Sequence, residues 1–213
     1  PLIAVARSLR EICQRERVGE VDIVYASDDP YDAQVLREDR IRFLKIPAGK
    51  VRRYFSIKNI FDPFKSLLGI IKAMWILYLN LPDVIFSKGG YASFPTLVAA
   101  RFFGVPVVIH ETDSVPGRVS LWASHFAKRI AISYPETVKF FPKEKTAFVG
   151  NPIRKEVLGG TMERAREIFN LESELPVIFV FGGSQGSQKI NESVLDILPE
   201  LLEFSQIIHQ TGK

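Results

Sequence analysis

The sequence predicts an α/β fold built on parallel sheets, and three observations carry that prediction. Short runs rich in Val, Ile and Phe alternate with helical patterns along most of the chain. The runs are continuously apolar rather than alternating, as in strands covered on both faces. The segments between successive runs are long enough for the crossover helix that parallel pairing requires.

The elements follow in order. Leu2, Val5, Ala6, Leu9, Ile12 and Cys13 recur at helical spacing, and the pattern ends near Gly19. Residues 21–26 and 41–47 read as β-rich runs. A helix carrying Leu67, Leu68, Ile70, Ile71, Met74, Trp75, Leu77 and Tyr78 follows, closed by Pro82. A regular alternation comes next: strand 84–87, helix 94–103, strand 105–109, helix 119–126 and strand 129–133. After Pro135 the pattern loosens until a run at 146–149. A helix over 162–169, the strongly apolar strand 177–181, a helix over 189–204 and a strand over 206–209 complete the chain. The alternation restarts at Gly150-Asn151-Pro152, so the expected domains are 1–149 and 150–213.

Composition narrows the function classes. The chain has 213 residues, 46% hydrophobic and 24% charged, which excludes a disordered or collagen-like protein. Lys and Arg exceed Asp and Glu by only 28 to 24, too small an excess to imply a nucleic-acid partner. The single Cys13 rules out a disulfide framework or a cysteine-rich zinc site. No His-x-x-His pair supports a metal, and Asp28-Asp29 lack metal-binding spacing. Asn191-Glu192-Ser193 matches a glycosylation sequon by letter only, within a predicted helix. Pro1 opens within a helical pattern and Lys213 follows a strand directly, so the chain is expected to be part of a longer protein.

The strongest local signal is Phe181-Gly182-Gly183-Ser184-Gln185-Gly186-Ser187, a buried-strand pattern running through glycines into a helix. Glycines admit a ligand close to the backbone, and a helix N-terminus offers unpaired N–H groups and positive potential, so Gly182, Gly183, Gln185 and Gly186 are expected to form a phosphate loop. No Walker lysine follows. The next strand ends in His209-Gln210 rather than an acidic residue, which disfavours NAD. A second glycine turn, Ser87-Lys88-Gly89-Gly90-Tyr91, also joins a strand to a helix. His110-Glu111-Thr112-Asp113 lies at the carboxyl end of a predicted parallel strand, where such sheets bind ligands, and His110 and Glu111 are candidate acid–base groups. Arg154, just after Gly150-Asn151-Pro152-Ile153, offers a planar guanidinium suited to a diphosphate.

Taken together, Gly89-Gly90-Tyr91, His110-Glu111, Gly150-Asn151-Pro152-Ile153-Arg154, Gly182-Gly183-Ser184-Gln185-Gly186 and His209-Gln210-Thr211-Gly212 resemble, in order and spacing, the peptidoglycan N-acetylglucosaminyltransferases of glycosyltransferase family 28. The resemblance covers essentially the whole chain. It implies a GT-B fold with two Rossmann-like domains, the second one truncated. It implies inverting transfer of N-acetylglucosamine from UDP-N-acetylglucosamine to a lipid-linked muramyl pentapeptide, with no cofactor and no metal. By the same resemblance Asp113, Arg154 and Ser184 contact UDP-N-acetylglucosamine. The family usually carries Asn where this chain has Asp113, and an ionised carboxylate accepts hydrogen bonds but donates none. No general base is assigned among these residues. Two alternatives stand beside this reading: another GT-B glycosyltransferase or epimerase, and an inactive membrane- or partner-binding fragment. The isolated 213 residues are expected to show no turnover.

The implied acceptor places the protein at the cytoplasmic face of the bacterial membrane. Residues 67–81 are apolar but hold Lys72 and Asn80, too short and too polar to span a bilayer. Upstream, Lys45, Lys50, Arg52, Arg53, Lys58 and Lys65 interleave with Tyr54, Phe55, Ile57, Ile60, Phe61 and Phe64. That mixture predicts an interfacial patch on anionic lipid.

Overall fold

The computed structural model describes residues 1–30, 32–49, 58–183 and 186–212, with only the backbone for 58–61. Ser184, Gln185, Lys50, Arg52 and Arg53, together with the side chains of Lys58 and Phe61, lie outside the described residues. The chain divides into two compact units, Pro1–Lys155 and Glu156–Lys213.

The first unit opens with helix α1 (Leu2–Arg15), followed by strand β1 (Val24–Ser27). Helix α2 (Ala33–Glu38) leads into β2 (Arg42–Lys45), which pairs parallel with β1 in the register Val24–Arg42 to Ser27–Lys45. The apolar pattern gives no sign of α2, because six residues carry too little periodicity. Its local signal is the cap: the Asp32 carboxylate accepts from the Gln34 and Val35 amides at 3.1 Å each. Arg7 of α1 donates to the Asp39 carboxylate at 2.9 Å, fastening α1 to the end of α2.

Helix α3 (Lys58–Asn80) begins nine residues before the apolar pattern that predicts it. Strands β3 (Ile85–Ser87), β4 (Val107–Glu111), β5 (Arg129–Ile132) and β6 (Thr146–Phe148) then form a four-stranded parallel sheet in the order β3-β4-β5-β6. The crossovers carry α4 (Phe94–Phe103) and α5 (Arg118–Ser124). Gly104, at φ 68°, ends α4 in the left-handed conformation that a side chain would disfavour. The loose stretch after Tyr134 is a tight 3-10 turn, Pro135–Phe140. Val107, Ile109, Ile130 and Ile132 of the central strands form the core with Leu97, Ala99 and Ala100 of α4.

Helix α3 is built in an unusual sense. Its inward face combines small residues with Leu77: Ala73 is fully buried, Leu77 is 4% exposed, and the Gly69 Cα lies where a Cβ would meet the Pro47 carbonyl oxygen at 1.8 Å. Its large apolar side chains point outward, with Phe64, Leu67, Leu68, Ile71, Trp75 and Tyr78 all exposed, Trp75 at 62%. At helical spacing these six form one continuous apolar stripe. No described helix is long and apolar enough to cross a membrane.

In the second unit, α6 (Met162–Phe169) is capped by the Thr161 hydroxyl, which accepts from the Arg164 amide at 3.2 Å. Strand β7 (Val177–Phe181) pairs parallel with β8 (Gln206–Gln210), joined through α7 (Gln188–Leu202). Within these residues Phe179 and Phe181 stack with centroids 5.3 Å apart, and Ile178 and Val180, on the opposite face, are half-buried.

Candidate functional site

The first unit gathers its polar candidates at the carboxyl ends of β3, β4, β5 and β6. At the end of β3, Gly89 and Gly90 adopt φ of 71° and 78°, a conformation L-residues rarely hold. A Cβ on Gly89 would lie 2.2 Å from the buried Ser120 hydroxyl of α5, so the turn needs glycine for space as well as for dihedral freedom.

On β4, the two candidate acid–base groups are both buried and bonded to backbone. His110 is 1% exposed, and its Nε2 lies 3.1 Å from the Gly150 carbonyl and 3.1 Å from the Ser133 hydroxyl. Because the carbonyl only accepts, Nε2 carries the proton and Nδ1 is left as a buried acceptor with no partner among the described residues. Burial holds the His110 pKa below its ordinary value of 6.5; the bond to the Gly150 carbonyl opposes this, and the nearby Lys88 charge adds to it. The unfolded chain therefore takes up protons that the folded chain refuses. Stability present above that ordinary value is lost as the pH falls through it, toward the lower folded value. Melting temperature is thus expected to fall between about pH 7 and pH 5, and His110→Gln should flatten that decline. Parallel pH profiles for the two proteins would refute the assignment.

Glu111 is 3% exposed and organises the loop that follows it. Its Oε1 accepts from the Thr112 amide at 3.0 Å and the Asp113 amide at 3.1 Å, and its Oε2 accepts from the Gly117 amide at 3.2 Å. From the other side, the fully buried Thr137 hydroxyl donates to the Asp113 carbonyl at 3.2 Å. The loop is bracketed between these two residues, and the Asp113 side chain is exposed on it. Sequence reasoning found Asp113 but missed Thr137, whose only signal was its tertiary position.

Beyond β6 the chain turns at Gly150, with φ 76°, and runs out to Arg154. Arg154 is exposed, and no hydrogen bond or ion pair with a described residue engages its guanidinium.

The second unit holds the glycine loop. Gly183 and Gly186 adopt φ of 80° and 74°. The Gly186 amide donates to the Gly183 carbonyl at 2.9 Å, closing the turn. A Cβ on Gly182 would lie 2.7 Å from the Ser187 nitrogen, and one on Gly186 would lie 2.1 Å from the Thr211 carbonyl oxygen. That carbonyl is held in place by Asn191 of α7, whose Nδ2 donates to it at 2.9 Å while its Oδ1 lies 3.1 Å from His209 Nε2. The sequon asparagine is therefore a bracket between α7 and the end of β8. Helix α7 starts at Ser187 with no side-chain cap and no acidic residue in its first turn, which leaves its first amides open to an anion. Ser184 and Gln185, predicted for the same loop, fall outside the described residues. Among the described residues no group of three or more His, Cys, Asp or Glu could hold a metal ion.

Comparison with known proteins fits this geometry. A model of the glycosyltransferase family 28 N-terminal domain matches residues 1–132, and one of the family 28 C-terminal domain matches residues 177–213. The chain is 42% identical over 193 residues to a Bacillus thuringiensis protein named UDP-N-acetylglucosamine–N-acetylmuramyl-(pentapeptide) pyrophosphoryl-undecaprenol N-acetylglucosamine transferase 3, covering 90% of this chain and 55% of that protein. A Clostridium perfringens transferase of the same name, without the numeral, is 41% identical over 187 residues, or 88% of this chain and 52% of that protein. The chain thus spans about half the length of the curated relatives it matches. Among solved structures, MurG of Acinetobacter baumannii superposes with a TM-score of 0.63 at 28% identity, over 99% of this chain and 56% of that one. The UDP-GlcNAc 2-epimerase of Neisseria meningitidis gives a TM-score of 0.62 at 17% identity, over 98% of this chain and 62% of that one, a likeness of fold alone. The parallel α/β architecture is that of the GT-B proteins, and the chain belongs to glycosyltransferase family 28.

Proposed function

We propose that this chain is part of an enzyme of peptidoglycan synthesis that transfers N-acetylglucosamine from UDP-N-acetylglucosamine to undecaprenyl-pyrophosphoryl-muramyl pentapeptide, converting lipid I to lipid II. The observation that carries this reading is 42% identity across 90% of the chain to a transferase named for that reaction. In the proposed step, an acceptor hydroxyl attacks the anomeric carbon of the donor sugar and loses its proton. The bond from that carbon to the diphosphate breaks with inversion, and UDP leaves with the electron pair. No base is assigned, and both His110 and Glu111 are engaged with backbone partners. Residues 1–149 are assigned to the acceptor and membrane side, and 150–213 to the opening of the donor-nucleotide domain.

Charge gathers on the diphosphate as it leaves, so donors aimed there stabilise the transition state more than the ground state. The loop at Gly182, Gly183, Ser184, Gln185 and Gly186, with the open amides of α7, is one such donor set. Arg154 is assigned to the same diphosphate region, and Asp113 accepts from a sugar hydroxyl. In the full-length protein Arg154→Ala is expected to lower kcat/KM for UDP-N-acetylglucosamine by about 10- to 100-fold, the range for losing a charge-assisted hydrogen bond. Arg154→Lys should restore only part of it, since an ammonium cannot bond two oxygens in one plane. Near-normal kinetics for the Ala variant would remove Arg154 from the site.

We infer that the protein binds the cytoplasmic face of the membrane peripherally, through the outward apolar stripe of α3 and the basic residues upstream. Salt should screen the charge component while leaving the apolar one, because the Debye length shrinks to about 3 Å at 1 M. Vesicle co-sedimentation is expected to show partial release from anionic vesicles at high salt, with each basic residue contributing about 1 kcal/mol at most. Phe64→Ser with Trp75→Ser should remove the salt-resistant remainder at an unchanged melting temperature, because both rings are already exposed. Equal binding by the variant would mean the stripe does not touch lipid.

A further inference from the structure

A buried histidine that neither reaches solvent nor pairs both nitrogens is a costly way to fill a sheet, since an aliphatic side chain would leave no orphaned acceptor. What His110 does instead is hold one carbonyl. Val149 is still part of the sheet, its amide donating to Ile132 at 3.0 Å. The Gly150 carbonyl then receives two donors, His110 Nε2 at 3.1 Å and the Ser133 hydroxyl at 3.1 Å. Both donors are anchored by the central strands: His110 sits in register with Ala131 of β5, and the Ser133 amide donates to the Glu111 carbonyl at 3.0 Å. Past Gly150 the backbone bonds stop: Pro152 has no N–H, and among the described residues no backbone hydrogen bond outside regular elements engages residues 151–154. What steadies the segment further on is α1, with Pro152 and Ile153 beside Val5, Leu9 and Ile12 and Lys155 paired with Glu11 at 2.6 Å. The clamp at Gly150, whose left-handed φ of 76° makes the turn, therefore fixes the near end of the segment that presents Arg154.

We propose that His110, together with Ser133, is a positioning residue that clamps the Gly150 carbonyl and so aims the segment from Asn151 to Arg154. The functional consequence rests on the reading that Arg154 binds the donor diphosphate. The clamp itself does not, and two readouts on the full-length protein keep them apart. Hydrogen exchange reports the clamp: the Val149 amide, bonded to the Ile132 carbonyl just before the clamped residue, should exchange about tenfold faster in His110→Phe, which fills the space without a donor. In His110→Gln, whose amide nitrogen replaces Nε2 as donor, exchange should stay within about twofold of the parent. Ser133→Ala removes the second donor without adding bulk. It should show the same effect at smaller size, and it serves as the test where His110→Phe does not fold.

Kinetics report the consequence. His110→Phe should raise KM for UDP-N-acetylglucosamine about tenfold, the effect of one hydrogen bond, with kcat changed less than about threefold. In an Arg154→Ala background the same substitution should have almost no further effect on KM, because the residue it aims is gone. A kcat reduced 100-fold or more in His110→Gln, with KM unchanged, would instead mark proton transfer and overturn the proposal. Unchanged exchange of the Val149 amide in both His110→Phe and Ser133→Ala would overturn it as well. Faster exchange in those variants together with a wild-type KM in Arg154→Ala would keep the clamp and discard the diphosphate role of Arg154.

Discussion

Replacing Gly186 by Ala should reduce kcat/KM for UDP-N-acetylglucosamine in the full-length protein by more than about 100-fold. Two independent penalties act at this position. An alanine at φ 74° is strained by about 1–2 kcal/mol, and its Cβ would stand 2.1 Å from the Thr211 carbonyl oxygen. That oxygen cannot retreat freely, because Asn191 holds it at 2.9 Å and is itself held by His209. The loop must open, moving the first amides of α7 away from the position they hold beside Gly182 and Gly183. Gly183→Ala is the control: its φ of 80° carries similar strain, but no atom lies within 4 Å of the added carbon. Hydrogen exchange across 182–191 should therefore rise in Gly186→Ala and change little in Gly183→Ala. UDP binding measured by calorimetry and found equal to wild type in Gly186→Ala would remove this loop from the donor site.

Glu111→Ala is the second change with a large expected effect, this time in the first unit. It strips three backbone amides, those of Thr112, Asp113 and Gly117, of their acceptor inside a region where the carboxylate is 3% exposed. Each buried donor left unmatched costs about 1–3 kcal/mol, so a total loss of about 3 kcal/mol in stability is the conservative expectation. Glu111→Gln keeps one oxygen for two of the amides but turns an NH2 group toward the third, and should fall between the two. Denaturant melts give the stability change, and kinetics on the variant that still folds should show KM for UDP-N-acetylglucosamine rising, because the loop that Glu111 holds carries Asp113. An unchanged donor KM in Glu111→Gln, with stability reduced, would confine Glu111 to holding the fold together.

The alternation of apolar runs and helical patterns was legible because each signal is local. Helices α4 and α6 and strand β7 begin and end where their patterns do, at Phe94–Phe103, Met162–Phe169 and Val177–Phe181. Glycines at 89, 90, 183 and 186 were legible for the same reason, since a positive φ is a property of one residue. The short capped α2 was not, for six residues hold less than two turns of periodicity.

By itself, the sequence determined the α/β class, the glycine turns and the set of residues from which a donor site would be drawn. Tertiary structure alone decided what His110 and Glu111 do. Both are buried on consecutive positions of β4, and a strand covered on both faces has no alternation from which to read a side chain's direction. The partner that makes His110 a clamp lies 40 residues away, and the oxygen that makes Gly186 irreplaceable belongs to Thr211, on the far side of α7 in sequence. The same holds for α3, whose middle is apolar around most of its girth, Lys72 apart. Only packing showed that Gly69 and Ala73 face inward, because small residues allow the helix backbone to approach its neighbours closely. That close approach leaves Ile71, Trp75 and Tyr78 on the outside, where hydrophobicity alone would have buried them.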